Sequence, residues 1–212
     1  MDKKLKKSKD LLRKGEGFFL TAEKGAEMKK KKKVMDSEAI RRALMRIAHE
    51  VVERNKGVKD LVLIGIRRGG EQIAIRLAGI IGEIERKPVP CGFMDITMYR
   101  DDLYHMSHQP EVHKTEINFP IEDKLVILVD DVLFTGRTIR AAMDSAIDYG
   151  RPRQIQLAVL IDRGHREFPI RADFVGRNIP TSRTDLVQVT LEAQEKKDKV
   201  ELIETGGTKE QS

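Results

Sequence analysis

The chain is poor in the residues that secreted and membrane-spanning domains depend on. It has one cysteine, no tryptophan, and only 5% aromatic residues in 212 positions. A single thiol, Cys91, makes neither an internal disulfide nor a multi-thiolate metal site, and is expected to pack as a small half-buried residue. No window approaches eighteen consecutive apolar residues, and residues 1–20 lack the apolar stretch and small-residue cleavage site of a secretory signal. A cytoplasmic protein with no membrane attachment is expected. What is present, 40% hydrophobic residues, is enough for one ordinary core and excludes disorder of the whole chain.

Net positive charge is confined to the front end. The formal net charge is +6, yet residues 1–33 hold 13 Lys+Arg against 5 Asp+Glu, a net of +8 that leaves about −2 for the other 179 residues. Attraction to an anionic partner depends on local density within a screening length, so the total misleads. Residues 1–34 carry the run Lys29–Lys33, scattered glycines and few branched apolar residues, the composition of a basic extension that does not order. Three origins stay open: a nucleic-acid-binding arm, a solvated tail, or a start-site artefact. For the last, Met28 and Met35 both precede the first strong structural signal, and residues 23–27 are rich in types whose codons can be purine-only. A folded domain over 35–205 and a short flexible tail over 206–212 complete the expected organisation.

Asp36 and Ser37 can cap a helix that runs to about Asn55 and stops at Gly57. Ile40, Leu44, Ile47 and Val51 form its apolar stripe, and Arg42, Arg46 and His49 lie opposite as a basic ridge. Spacing alone makes that ridge a solvated helix face. Leu61–Ile66 reads as a strand buried on both faces, followed by a glycine-bearing turn and a helix with Ile73, Leu77, Ile80, Ile81 and Ile84 inward. A second strand is expected over Gly92–Tyr99, then a long polar loop to Glu116 of the kind that serves as a lid. Val126–Val129 is a third strand, Thr138 opens a helix closed by Gly150, and Gln156–Ile161 is a fourth strand. Strands alternating with helices imply parallel pairing and an open sheet covered on both faces. Short antiparallel strands over Asp173–Gly176, Leu186–Leu191 and Val200–Ile203 are expected to finish the domain.

Ligands of open parallel sheets bind beyond the carboxyl ends of the strands. The sharpest loop there runs Val126, Ile127, Leu128, Val129, Asp130, Asp131, Val132, Leu133, Phe134, Thr135, Gly136, Arg137, Thr138. Four apolar residues deliver two adjacent carboxylates to the sheet edge. Thr135, Gly136 and Thr138 then open a helix whose N–H groups and dipole favour a phosphate. Neighbouring carboxylates accept the hydrogen bonds of a vicinal diol. Phosphate and diol together describe a ribose 5-phosphate. No Gly-x-x-x-x-Gly-Lys-Ser/Thr pattern is present, which argues against a P-loop nucleotidase. His105, His108 and His113, at i, i+3 and i+8, read as solvated loop histidines because no acidic or thiolate complement accompanies them.

Segment 126–138 also resembles the phosphoribosyl pyrophosphate (PRPP) signature of type I phosphoribosyltransferases, with its hydrophobic run, two acids and Thr-Gly-x-Thr. The turn Arg67, Arg68, Gly69 within Gly65–Gly70 sits like that family's pyrophosphate loop. The long loop beginning Tyr99-Arg100 sits like its hood, with Arg100 closing over pyrophosphate to exclude water. Purine-specific enzymes of this type place an acid three residues after the second carboxylate. Phe134 stands there instead, which favours a pyrimidine. Leu160–Arg171, Arg177–Ser182 and Ile40–His49 extend the resemblance, over essentially residues 35–205, to the bifunctional pyrimidine operon regulators of the PyrR family.

That resemblance implies an α/β fold: a type I phosphoribosyltransferase-like open, mainly parallel twisted sheet with flanking helices and a small antiparallel C-terminal addition. It implies a uracil phosphoribosyltransferase that converts uracil and PRPP to UMP and pyrophosphate with Mg²⁺ carried by the substrate. Asp130 and Asp131 would hold the ribose, residues 135–138 the 5-phosphate, Arg67, Arg68 and Gly69 the pyrophosphate, and Arg163 with the Ile179 backbone the uracil. It further implies UMP-dependent binding to the leader mRNA of pyrimidine genes through Arg42, Arg46, His49, His165, Arg166 and Arg171, and a homodimer or tetramer. A salvage enzyme without RNA binding and a non-catalytic nucleotide-sensing RNA regulator are the rivals.

Overall fold

Asp36 starts the first helix by a side-chain cap, its Oδ1 accepting the Ala39 N–H at 2.8 Å. In this computed structural model, which describes residues 30–99, 101, 114–192 and 195–205, that helix is α1, Ser37–Asn55. It ends where Lys56 and Gly57 turn left-handed (φ 55° and 102°), and the Gly57 N–H returns to the Val52 carbonyl at 2.9 Å. The expected stripe of Ile40, Leu44, Ile47 and Val51 is buried, with Ala43 and Ala48 beside it.

Around α1 the chain runs β1 (Lys30–Asp36), β2 (Leu61–Ile66), α2 (Glu71–Glu85), β3 (Cys91–Met94), β4 (Leu125–Leu133), α3 (Arg137–Asp148), β5 (Gln154–Asp162), β6 (Phe174–Asn178), β7 (Leu186–Thr190) and β8 (Lys199–Glu204). Five strands form a parallel sheet in the order β3-β2-β4-β5-β6. The apolar runs of its strands divide by alternation. Leu61, Leu63, Ile127, Val129 and Leu160 pack with α1 and α2, while Val62, Ile64, Val126, Leu128 and Val159 pack with Ile139, Ala142 and Ala146 of α3. Each of these leucines, isoleucines and valines, fully buried, contributes about 1.5–3 kcal/mol.

Two expectations are corrected here. The segment near Asp173–Gly176 is not antiparallel: β6 pairs in parallel with β5, Ala158 opposite Phe174 and Asp162 opposite Asn178. The chain gets back to the start of the sheet through Arg163–Asp173, a return without a helix, and helical periodicity therefore gave no sign of the crossover. The second correction concerns the lysines. Lys30–Lys33 belong to β1, which pairs antiparallel with β8 in a separate sheet ordered β1-β8-β7. A boundary at residue 34 falls inside that strand. Its partner lies some 170 residues downstream, where local composition carries no trace of it. The rest of the basic extension, residues 1–29, and the tail 206–212 lie outside the described residues, as do Arg100, His105, His108 and His113. Among the described residues, no helix is long and apolar enough to cross a membrane.

Candidate active site

The strand order opens a crevice. After β2 the chain crosses to β3 on one side, and after β4 it crosses to β5 on the other, so the loops leaving β2 and β4 diverge. A cavity of about 270 Å³ lies there, lined by Arg67, Arg68 and Gly69 after β2, Asp95 and Thr97 after β3, and Asp130, Asp131 and Thr138 on the β4 side. A second hollow of about 300 Å³ is enclosed by residues 132–139 and shares Val132 and Thr138 with the first. The two expected loops therefore meet at one place.

Asp130 is buried and Asp131 half-buried. Burial, together with the charge of Asp131 beside it, pushes the Asp130 carboxyl well above the usual range, although the Asp131 N–H donates to Asp130 Oδ1 at 2.9 Å. Burial also raises Asp131, opposed by the Val132 N–H and its own. The site thus concentrates negative charge where water hydrates it poorly, and a hydroxyl donor or a cation relieves that cost. Gly69 crowds the pair: a Cβ on it would come within 2.6 Å of Asp131 Cγ and 3.0 Å of Asp130 Oδ1. Beside it Arg68 holds a left-handed φ of 80°, a conformation that costs a non-glycine residue energy and that occurs at ligand-binding turns.

The phosphate-side loop is fixed from behind. The Thr135 carbonyl accepts the N–H groups of Glu167 and Phe168 at 2.9 and 3.1 Å. Its Oγ1 accepts the Arg137 N–H at 3.4 Å. Gly136 turns left-handed, φ 93°, to start α3. Arg137 pairs with Asp101 and with Glu167, and its guanidinium lies 5.3 Å from the Phe168 ring centre.

Several of the expected site residues also bond within the fold. Arg67 lines the cavity, yet its Nε donates to the Lys114 carbonyl at 2.7 Å, it pairs with Glu116 at 3.0 Å, and it lies over the Phe93 ring. It anchors the returning foot of the long loop. Arg163 is buried, stacked 4.0 Å over Phe134, and donates to the carbonyls of Asp185 and Ser182 at 2.7 and 2.8 Å. Its Nε has no partner among the described residues, and burial lowers its pKa. The Ile179 N–H donates to the Asp162 carbonyl at 2.9 Å.

His165 and Arg166 are half-buried and bond to carbonyls of their own chain. His165 contacts the Thr181 carbonyl at 2.7 Å and sets its ring edge-to-face against Phe134. Arg166 donates to the carbonyls of Phe134 at 2.8 Å, Ile170 at 2.9 Å and Gly164 at 3.1 Å, and pairs with Asp162. The chain's own acceptors use these donors because the helix-free return after β5 has no regular ladder to satisfy its carbonyls. On α1, Arg42 and His49 are exposed. Arg46 is tethered, to Glu50 at 2.7 Å and to the Val175 and Gly176 carbonyls at 3.0 and 2.7 Å. Arg171 is exposed.

Sequence reasoning missed Asp95 and Thr97. Asp95 Oδ1 accepts the Thr97 N–H at 2.7 Å, ending the second strand early and turning both residues to the cavity. The signal was an Asp-x-Thr turn at a strand end. Among the described residues, no group of three or more His, Cys, Asp or Glu could hold a metal.

A family model described as "Phosphoribosyl transferase domain" matches residues 31–194. The chain is 56% identical over 177 residues to a protein named "Bifunctional protein PyrR" from Pelotomaculum thermopropionicum, covering 84% of this chain and 98% of that one. It is 62% identical over 164 residues to one of the same name from Geobacter sp. strain M21, covering 77% and 92%. Among solved structures, a hypoxanthine-guanine phosphoribosyltransferase from Bacillus anthracis superposes with a TM-score of 0.56 at 20% identity, over 70% of this chain and 84% of that one. A hypoxanthine phosphoribosyl transferase from Trypanosoma cruzi gives 0.58 at 24% identity over 74% and 82%. At that identity the solved structures speak for the fold alone. The relatives, matched across nearly their whole lengths with Asp130 and Asp131 at the expected crevice, place the chain in the phosphoribosyltransferases and, within them, in the PyrR family of bifunctional proteins.

Proposed function

We infer that this chain makes UMP and pyrophosphate from uracil and PRPP, and that with UMP bound it attaches to the leader transcript of pyrimidine-biosynthesis genes and promotes attenuation. The observation that carries the enzyme is the convergence of Asp130, Asp131, Gly69 and Thr138 on one cavity at the sheet's switch point. Loss of pyrophosphate breaks the bond from the ribosyl carbon C1′ to oxygen and leaves positive charge on that carbon. Uracil N1 then bonds to C1′ and releases its proton. Asp130 and Asp131 hold the ribose hydroxyls and favour the developing cation, since both carboxylates are poorly hydrated without one. Residues 135–138 bind the 5-phosphate at the start of α3, and the Arg68–Gly69 turn binds pyrophosphate. Arg100 is assigned the hood over it.

Mg²⁺ is a hard divalent cation that the pyrophosphate and ribose oxygens of PRPP would carry into the site, where it would neutralise charge on the departing pyrophosphate, while Asp130 and Asp131 would hold the ribose beside it. For the base, Phe134 offers an apolar platform where a purine enzyme has an acid. Arg163, stacked on Phe134 with an Nε–H that has no partner among the described residues, is the donor assigned to uracil.

The RNA reading stands on the exposed Arg42, His49 and Arg171, with Arg46 on the α1 ridge between Arg42 and His49. Such groups read loops and bulges, with phosphate contacts giving salt-dependent affinity. A homodimer or tetramer is the proposed assembly. Asp131→Asn and Thr135→Ala should each abolish UMP formation while the protein stays folded; near-normal turnover in both refutes the site. UMP-dependent leader-RNA binding on the same preparation separates the rivals. A salvage enzyme makes UMP and binds no RNA, and a sensor binds RNA and makes no UMP.

A further inference from the structure

The lysine strand is not part of the transfer site, and the fold gives it a specific neighbourhood. β1 is an edge strand, and Lys30, Lys31, Lys32 and Lys33 are all exposed on it. Lysines on an edge discourage pairing with other chains, which explains one or two of them. Four in succession, alternating between both faces, do more: they put cations above and below the sheet. Between β1 and the end of β6 lies a cavity of about 240 Å³ whose polar lining is Lys32, Lys33, Arg177 and Asn178, with no carboxylate. Arg177 fixes that geometry by donating to the Val34 carbonyl at 2.7 Å.

β6 joins this cleft to the α1 ridge. Arg46 binds the carbonyls of Val175 and Gly176, and the next residue of the strand, Arg177, binds β1. Arg42, Arg46, Arg177 and the β1 lysines therefore sit on three successive elements held to one another by those bonds. The carboxylates facing the strand are few. Glu204 lies opposite Lys30, and Glu201 lies opposite Lys33 and is paired with Lys199 at 2.9 Å.

We propose that Lys30–Lys33 and Arg177 form a phosphate-contacting track that extends the RNA face from α1 onto the small sheet. The inference rests on the RNA-regulator reading above. Its partner is the sugar-phosphate backbone of the bound transcript, because a row of point charges beside a narrow cleft suits repeated phosphates and carries no base readout.

The test uses the full chain, with saturating UMP and a leader transcript, titrated from about 50 to 300 mM salt. K30Q/K31Q/K32Q/K33Q is expected to lower RNA affinity roughly tenfold at 0.1 M salt and to flatten the log–log salt slope by about 2, four cations contributing at most about 0.7 each on a single strand. UMP formation and the thermal midpoint should stay as in the unaltered chain. K30R/K31R/K32R/K33R should keep both affinity and slope. Residues 1–29 are common to every variant, so differences report β1 alone. An unchanged slope in the glutamine variant overturns the proposal, as does a loss seen only with phosphatidylserine vesicles. If the unaltered chain itself fails to bind the transcript, the regulator reading fails first.

Discussion

The Arg166 guanidinium donates to the main-chain oxygen of Phe134 at 2.8 Å, and so braces from behind the loop that carries the transfer chemistry. Further bonds to Ile170 and Gly164 and the pair with Asp162 commit the planar fork to this one task. A lysine offers a point charge and cannot span those acceptors. Leaving one buried carbonyl unsatisfied costs about 1–3 kcal/mol. Arg166→Lys should therefore raise the KM for PRPP about tenfold or more, with a smaller change in the KM for uracil, and lower the thermal midpoint by roughly 2–10 °C. Steady-state kinetics with each substrate varied in turn checks this. Equal changes in both KM values would show general loosening instead of a brace on the phosphate loop.

Gly69 tests the crowding at the carboxylate pair. A methyl group there would fall 3.0 Å from Asp130 Oδ1 and closer still to Asp131. Gly69→Ala must move either the turn or the two acids, and the neighbouring Gly70 already lies tight against the Val129 carbonyl. The expected result is a loss of at least about 100-fold in kcat/KM for PRPP, since displacements near 1 Å cost that much at a reacting centre. The fold should survive with a modest drop in midpoint. Wild-type kinetics would show that the turn yields freely.

Much of this site was legible because its chemistry is packed into consecutive residues. Residues 126–138 contain a buried strand, two acids and a helix start, each with its own local signature, and the alternation of strands and helices fixed the sheet edge that they reach. Residues whose roles depend on tertiary partners were not legible. Arg67, His165 and Arg166 read as cations seeking an anion, yet the carbonyls of Lys114, Thr181 and Phe134 occupy them. The parallel pairing of β6 follows a return from β5 that has no helix, and the antiparallel pairing of β1 with β8 spans some 170 residues, so local pattern misassigned both.

The carboxylate pair links function to stability. Both groups have folded-state pKa values above the ordinary carboxylate range: Asp130 the more strongly, through burial and the charge of Asp131 beside it, and Asp131 through burial. Between the unfolded value near 3.9 and the raised folded values, the native state binds more protons than the unfolded state, so stability falls as pH rises through that window. Asp130→Asn removes the charge and should raise the thermal midpoint at pH 8 without substrate, the advantage shrinking as pH falls toward about 4. The same variant should lose UMP formation. Midpoints measured across that range decide it: a variant less stable than the parent at pH 8 would mean that Asp130 is held by partners that favour its charge.

The boundary of the folded domain can be tested by truncation. Removing residues 1–29 leaves β1 whole, whereas removing 1–34 takes Lys30–Val34, five of the strand's seven residues. The second cut strips the pairing partners of Leu202 and Ile203 and leaves Met35, now buried among α1 and Val200, at a chain end. Partial exposure of two or three such side chains costs on the order of 2–4 kcal/mol, or roughly 4–16 °C in midpoint for a domain of this size. Calorimetry on the two truncated proteins should therefore give a midpoint for the shorter chain clearly below that of the longer one. Equal midpoints would place the start of the folded unit at Met35, as composition alone suggested, and would reduce β1 to an appendage of the small sheet.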